Sequence, residues 1–176
     1  MNALIQCIRD RRGGAGAEMA LVIPLLLIIL VGSIETGNYF YNEHKLVEGA
    51  RNGARYAARQ RFSNYSACSG TVGGTVYADT KLMVRKGTLD STANDLLPNW
   101  ADAATVFDVT MTCQPALANG SGGNYVLGGI YANASSGAPT VLVSASLPYR
   151  PLFGAFGFTG LGFKLNATQT AAVMGL

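Results

Sequence analysis

Few residues in this 176-residue chain are of the types that perform catalysis or hold metals. His44 is the only histidine, and no cluster of cysteine, histidine and carboxylate residues occurs at metal-ligand spacing. The Gly-Gly-Ala-Gly segment at residues 13–16 has no strand before it, which a phosphate-binding loop requires. We therefore predict that the protein is not an enzyme and needs no cofactor and no metal.

The three cysteines fall on two sides of an apolar segment. Cys7 precedes it, whereas Cys68 and Cys113 follow it. If the segment crosses a membrane, Cys68 and Cys113 emerge together on the oxidising side and can form a disulfide, while Cys7 stays reduced. The alternative is three unrelated buried thiols.

Composition indicates a membrane anchor rather than a nucleic-acid-binding surface. The chain is 49% hydrophobic and 13% charged, whereas about 25% charged residues is usual in soluble domains. The net charge is only +3, and three of the basic residues, Arg9, Arg11 and Arg12, lie just before the apolar segment. The basic character is thus local, and we predict no nucleic-acid partner.

The apolar segment is residues 19–34, bounded by Glu18 and Glu35. A membrane-spanning helix needs about 20 apolar residues, and small residues before the segment and the aromatic residues 39–41 after it extend it toward that length. The arginines before it place the N-terminus in the cytoplasm by the positive-inside rule. A secretory signal peptide is the alternative, with residues 31–33 as the nearest, poor cleavage site.

The helical pattern continues beyond the membrane. No proline occurs from residue 35 to residue 61, so we predict one helix from about residue 15 to about residue 62, which Pro24 should kink or loosen. Small residues at helical spacing allow another element to approach closely. We predict that helix packing uses Gly49, Ala50, Gly53, Ala54, Ala57 and Ala58. A third row, Arg51, Arg55 and Arg59, is either a solvated face or one that meets acidic groups or lipid phosphates.

The second half of the chain has the pattern of a small α+β domain. Residues 76–86 predict a short amphipathic helix, which Gly87 can end. Alternating apolar and polar residues predict strands at 107–113, 141–147 and 163–173, and a further strand is predicted at 125–131. Residues 151–158 are read as an apolar loop or short turn. Consecutive strands pair antiparallel, and the protruding half of the long helix would cover the apolar face of the sheet.

The first sixty residues resemble the TadE-like family of minor pilins, or pseudopilins, of tight-adherence (type IVc) pilus systems. The matching stretches are RDRRGGAGAEMALVIPLLLIILVGSIETG (residues 9–37) and EGARNGARYAAR (residues 48–59). The resemblance implies a pilin-like α+β fold and a cut by a prepilin peptidase between Gly13 and Gly14, which makes Glu18 the fifth mature residue. Met19, the sixth, stands where relatives of the family often carry an aromatic residue.

The resemblance also implies a domain plan and partners. Residues 1–13 would be a cytoplasmic leader, 14–41 the transmembrane part of the helix, 42–62 its protruding part and 63–176 an extracytoplasmic domain. The expected partners are other pilins, the prepilin peptidase, an inner-membrane assembly platform and lipid. The expected location is the inner membrane with the outer domain in the periplasm, or an extracellular pilus. An uncut membrane scaffold and a secreted binding protein are the alternative functions.

The two glutamates at the ends of the apolar segment are each open to two interpretations. Glu18 either pairs with the new amino terminus of its own chain or of a neighbour, or is a helix-start carboxylate favoured by the helix dipole. Glu35 is either a pairing group or an interfacial residue.

Overall fold

The computed structural model of the protein describes residues 14–65, 69–114, 129–131, 137–154 and 162–175. Two α-helices are present in these ranges, α1 (Gly14–Ala58) and α2 (Gly74–Lys86). Four strands follow the chain order β1 (Ser69–Thr71), β2 (Val106–Gln114), β3 (Ala138–Pro148) and β4 (Lys164–Ala172). Two short 3-10 turns occur at Phe62–Tyr65 and Gly129–Tyr131. The order of long helix, short helix and antiparallel strands confirms the predicted α+β fold.

Helix α1 is the longest element and runs through Pro24 without interruption. Its 45 residues correspond to about 68 Å at about 1.5 Å per residue. The apolar residues of its first half are exposed, whereas Leu46 and the small residues of its second half are buried. The first half of α1 is therefore exposed, and its second half packs into the domain formed by the rest of the chain, which we call the outer domain.

The end of α1 is fixed by tertiary contacts. The last carbonyl groups of a helix have no partner within the helix. Here the Ala57 carbonyl accepts a hydrogen bond from the Tyr65 hydroxyl at 2.5 Å, and the Ala58 carbonyl accepts one from the Met174 backbone N–H at 2.7 Å. These contacts end the helix four residues before the predicted boundary at about residue 62.

The sheet is an antiparallel meander whose spatial order is β1-β2-β3-β4. Burial alternates along β3, so that Val141, Val143, Ala145 and Leu147 point to one face. Cross-strand neighbours on that face are also buried, as in the pairs Val109–Val143 and Leu147–Leu165. Helix α1 contacts β3 and β4 and covers this face, as predicted.

Helix α2 packs against α1 and ends where the glycine pattern predicted. Gly87 has a φ of 73°, in the left-handed region, and its N–H donates to the Met83 carbonyl at 2.9 Å. Glycine adopts this conformation without the steric cost that a Cβ imposes. Val76, Thr80 and Val84 form the buried side of α2.

One predicted strand is wrong where the structure describes it. Residues 125–131 were predicted as a strand, but Gly129–Tyr131 is a 3-10 turn and residues 125–128 lie outside the described ranges. Gly129 has a φ of 63°, which is incompatible with an extended strand. The Tyr131 hydroxyl instead donates to the Val173 carbonyl at 2.8 Å. The remaining strand of the sheet is β1, which was not predicted.

Candidate functional site: the exposed helix and its junction with the outer domain

The first half of α1 is an exposed apolar rod. It is long and apolar enough to cross a membrane by length and composition, and none of its most apolar 18-residue window is buried. Leu21 is 77% exposed and Ile28 65%. Exposed leucine and isoleucine around a whole helix are costly in water and favourable in lipid. This half of the helix is therefore compatible with a membrane anchor.

Glu18 interrupts this apolar surface near its start. Its side chain is exposed, and within the described residues it makes neither a hydrogen bond nor an ion pair. Gly14 is the first described residue and is already helical, whereas Gly13 lies outside the described ranges. Among the described residues of the outer domain, the hydrogen bonds to α1 nearest to Glu18 are those of Glu35, about 25 Å further along the helix axis.

Glu35, at the other end of the apolar segment, is bound by the outer domain. Its carboxylate accepts a hydrogen bond from the Tyr149 hydroxyl at 2.5 Å. It also accepts bonds from the backbone N–H groups of Leu152 at 3.1 Å and Phe153 at 3.2 Å. Hydrogen bonds to an ionised acceptor are about twice as strong as those between neutral groups. We call this arrangement the Glu35 clamp, since it ties α1 to the segment after β3.

Tyr149 lies at the centre of the clamp and is 9% exposed. Its hydroxyl oxygen accepts a hydrogen bond from the Asn38 amide at 2.8 Å while its proton is donated to Glu35. Burial, together with the hydrogen bond to Glu35, raises the pKa of Tyr149 to about 12. The hydroxyl is therefore a fixed donor at every physiological pH.

Aromatic rings surround the clamp. Tyr39 makes edge-to-face contacts with Tyr149 and Phe163, with ring centroids 5.2 Å and 6.5 Å apart. The Tyr39 hydroxyl donates to the Lys164 carbonyl at 3.2 Å, which ties α1 to the start of β4. Glu35, Thr36, Tyr39, Tyr149 and Phe163 line a shallow, mainly apolar groove at this junction. Among the described residues, the hydrogen bonds between α1 and the outer domain thus include those of Glu35, which lies inside the predicted transmembrane range 14–41.

The small residues of α1 lie against the rest of the domain. All six that were predicted to serve helix packing are buried. A Cβ atom placed on Gly49 would lie 2.6 Å from the Val84 carbonyl oxygen, and one on Gly53 would lie 2.4 Å from Val84 Cγ2. These two glycines face α2 of the same chain, which explains why they are small without invoking a neighbouring subunit.

In the described part of the chain, the remaining polar residues singled out in the sequence do not assemble into a reactive centre. Arg51, Arg55 and Arg59 are exposed, which fits the solvated-face interpretation. His44 is exposed as well. Within the described ranges, no group of three histidine, cysteine, aspartate or glutamate residues could hold a metal ion. Cys113 is half-buried near the end of β2, while Cys7 and Cys68 lie outside those ranges.

The role of Glu35 was not predictable from the sequence. The sequence left two interpretations open for this residue, a pairing group and an interfacial residue. In the structure, the Glu35 carboxylate accepts hydrogen bonds from its own chain. The groups that it binds are 114 to 118 residues away. Two of them are backbone N–H groups, which every residue but proline possesses, so no local pattern could have identified them.

Comparison with known protein families finds a match in the N-terminal helix. Residues 13–55 match the family model described as TadE-like protein. The match covers most of α1, including Glu18, Pro24 and Glu35, and ends before the sheet. It confirms the family resemblance that the first helix carries. No curated protein and no solved structure matches the chain.

Proposed function

We propose that this TadE-like protein is a structural minor pilin of a tight-adherence pilus system, held in the inner membrane and assembled with other pilins through α1. The family match associates the chain with such pili. The observation that carries the proposal is the division of α1, whose second half is used by its own domain while its first half has no partner among the described residues. An exposed apolar rod of this length needs lipid before assembly and other helices after it.

We propose that a prepilin peptidase cuts between Gly13 and Gly14. The basic residues before the cut, the glycine and the five-residue spacing to Glu18 support this position. Mass spectrometry of the membrane-extracted chain, co-expressed with its peptidase, should show Gly14 as the first residue. An intact chain starting at Met1 under those conditions would instead favour an uncut membrane scaffold. A start near Ile34 would favour a secreted protein whose signal peptide has been removed.

Glu18 then acts between subunits. A carboxylate carried into lipid costs a few kcal/mol unless it is paired. The new N-terminal amine of a neighbouring subunit would provide the opposite charge, and both charges prefer the same depth, so their pairing sets the axial register of two helices. The lack of a partner for Glu18 within the described residues supports this role.

The test compares Glu18→Ala with a second variant of the same helix, Glu48→Ala. Glu48 is exposed and lies beyond the apolar half of α1. Glu18→Ala should leave membrane insertion and protease resistance of the outer domain unchanged, yet weaken co-purification with partner pilins and reduce piliation. Glu48→Ala should assemble like the wild type. Normal assembly of Glu18→Ala would reduce Glu18 to a helix-start residue or a peptidase recognition mark.

We further propose a disulfide between Cys68 and Cys113 that links the end of the helical region to β2. Two observations and one geometric argument support it. Cys113 is disulfide-bonded. Ser69, the residue after Cys68, pairs with Thr112, the residue before Cys113. Residues that pair directly in an antiparallel ladder have Cα atoms about 4.5–5.5 Å apart, within the range that a disulfide spans.

The proposed disulfide closes a loop of 44 residues, for which chain entropy gives roughly 4 kcal/mol of stabilisation. Cys68→Ser should therefore lower the stability of the outer domain without changing the apolar half of α1. Peptide mapping without reduction should recover the 68–113 pair and leave Cys7 outside the mature chain. Recovery of two free thiols after export would overturn the pairing.

A further inference from the structure

At the end of the outer domain nearest the apolar half of α1, apolar and basic side chains form an exposed rim. Phe40 is 61% exposed, Leu152 60% and Phe163 56%, and the cations Arg150 and Lys164, close to Leu152 and Phe163 in the chain, are exposed as well. We infer that this rim, defined by these five residues, is a second membrane contact that rests in the phospholipid headgroup layer. The inference rests on the proposed anchoring of α1 in the membrane.

The position of Glu35 along α1 sets the depth of the rim. A hydrocarbon layer of about 30 Å is crossed by about 20 helical residues at about 1.5 Å each. Counted from Gly14, the helix leaves the hydrocarbon near Glu35. The outer domain binds the helix at this same residue, through the N–H groups of Leu152 and Phe153. The segment after β3 is therefore held at the membrane boundary and cannot lie far above it.

The side chains of the rim suit that layer. Exposed phenylalanine and leucine side chains, like those on the apolar face of interfacial helices, are favoured at the boundary between headgroups and acyl chains. Basic side chains near the surface are attracted to anionic lipid headgroups, at about 1 kcal/mol each, and they extend past apolar neighbours to reach them. The Glu35 carboxylate lies close to the rim, and the dipoles of the Tyr149 hydroxyl and of two backbone N–H groups that bind it offset part of its repulsion of phosphates.

Exposure by itself does not identify this surface, because Ile130 at the far end of the domain is 57% exposed. Ile130 lines a groove with Arg55 and Arg59, about 30 Å along α1 from Glu35. The rim differs from Ile130 because it adjoins the exposed apolar surface of α1. It lies beside α1 at the level where that apolar surface ends. A bilayer covers both surfaces at once.

Depth-dependent fluorescence quenching tests the inference in the whole chain. The chain is reconstituted in vesicles of phosphatidylethanolamine and phosphatidylglycerol, with and without a phospholipid brominated on its acyl chain. Three single variants, Leu27→Trp, Leu152→Trp and Ile130→Trp, place an indole at positions of similar exposure. The unmodified chain, whose one tryptophan is Trp100, supplies the baseline to subtract. Iodide serves as the water-soluble quencher.

The expected result is graded. Leu27→Trp should be strongly quenched by the brominated lipid, Leu152→Trp should be quenched to an intermediate degree with blue-shifted emission, and Ile130→Trp should be quenched by iodide alone. The result for Leu152→Trp should not change when the protein is diluted in excess lipid.

Three other outcomes would overturn the inference in distinguishable ways. If Leu27→Trp is quenched and Leu152→Trp behaves like Ile130→Trp, the helix is anchored but the rim stands in water. If Leu152→Trp is shielded from both quenchers, protein covers the rim, which would then be a surface for another subunit. If Leu27→Trp escapes the brominated lipid, the anchor fails as well.

Discussion

The Glu35 clamp allows a sharp test of how the helix and the outer domain are joined. Glu35→Ala removes the acceptor of three donors: the Tyr149 hydroxyl and the N–H groups of Leu152 and Phe153. The perturbation changes no residue of the sheet and leaves the ring contact between Tyr39 and Tyr149 in place. Its effect should therefore report on the hydrogen bonds themselves.

The loss of stability expected for Glu35→Ala follows from the surroundings of each donor. The Tyr149 hydroxyl is buried, and loss of a charged acceptor there costs about 1.5–3 kcal/mol. The N–H groups of Leu152 and Phe153 are more exposed, so water replaces much of what they lose, at about 0.5 kcal/mol each. We expect Glu35→Ala to lower the free energy of unfolding by about 2.5–4 kcal/mol.

The assay is denaturant unfolding of the detergent-solubilised chain, followed by the fluorescence of Trp100. This tryptophan is 6% exposed and lies beside Asn99, whose amide donates to the Pro148 carbonyl next to Tyr149. Hydrogen exchange measures the local effect, because the amides of Leu152 and Phe153 should lose protection selectively.

Two further variants separate the clamp from a general effect of removing a charge. Glu48→Ala removes an exposed carboxylate from the same helix and should change stability by less than about 0.5 kcal/mol. Combining Glu35→Ala with Tyr149→Phe should show a coupling energy of about 1–2 kcal/mol, since both changes remove one shared bond. Equal unfolding midpoints for Glu35→Ala and Glu48→Ala, with unchanged exchange at residues 152 and 153, would refute the clamp.

Two other predictions concern packing and pH. Gly49→Ala should destabilise the protein by about 1–3 kcal/mol, because its Cβ would meet the Val84 carbonyl at 2.6 Å. Gly37→Ala has open space around its Cβ and should be neutral or gain up to about 1 kcal/mol of helix propensity. Thermal unfolding of both variants checks this, and equal behaviour would mean that α1 and α2 are not in close contact. Burial raises the pKa of Tyr65 and of Tyr149 to about 12, above the ordinary value of about 10. Both groups keep their protons longer in the folded state, so their stabilisation is complete below about pH 10 and is lost as the pH rises toward about 12. Absorbance titration of phenolate should show late-titrating tyrosines that include Tyr65 and Tyr149, and Tyr149→Phe should remove one of them. Titration of all tyrosines near pH 10 in the folded chain would contradict the prediction.

The main elements of the fold were predictable because each carries its own periodicity. The unbroken helical pattern after residue 34 predicted α1 almost to its end. Alternation around Val109, and again around Val143, predicted β2 and β3 because every second residue of these strands faces the core. Gly87 marked the end of α2 because a left-handed residue is needed there.

Short or irregular elements were not predictable, because they carry no periodicity of their own. Strand β1 has only three residues, Ser69–Thr71, too few to show alternation. It is a strand because β2 offers it an edge, with Ser69 opposite Thr112 and the Val72 N–H bonded to the Val109 carbonyl at 2.8 Å. Conversely, the apolar residues near Tyr131 suggested a strand, but the left-handed Gly129 and the hydrogen bond from Tyr131 to Val173 favour a turn.

Two glutamates of α1, Glu18 and Glu35, separate what the sequence determines from what the tertiary structure adds. The sequence alone determined a helix with an apolar first half, a carboxylate at each end of the apolar segment and small residues beyond it, since helix formation and amphipathicity depend on near neighbours. Only the tertiary structure distinguished the two carboxylates. Glu18 has no partner among the described residues, whereas Glu35 binds Tyr149 and the segment after it. That difference depends on groups more than a hundred residues away in the chain, which come together only when the sheet packs against the helix.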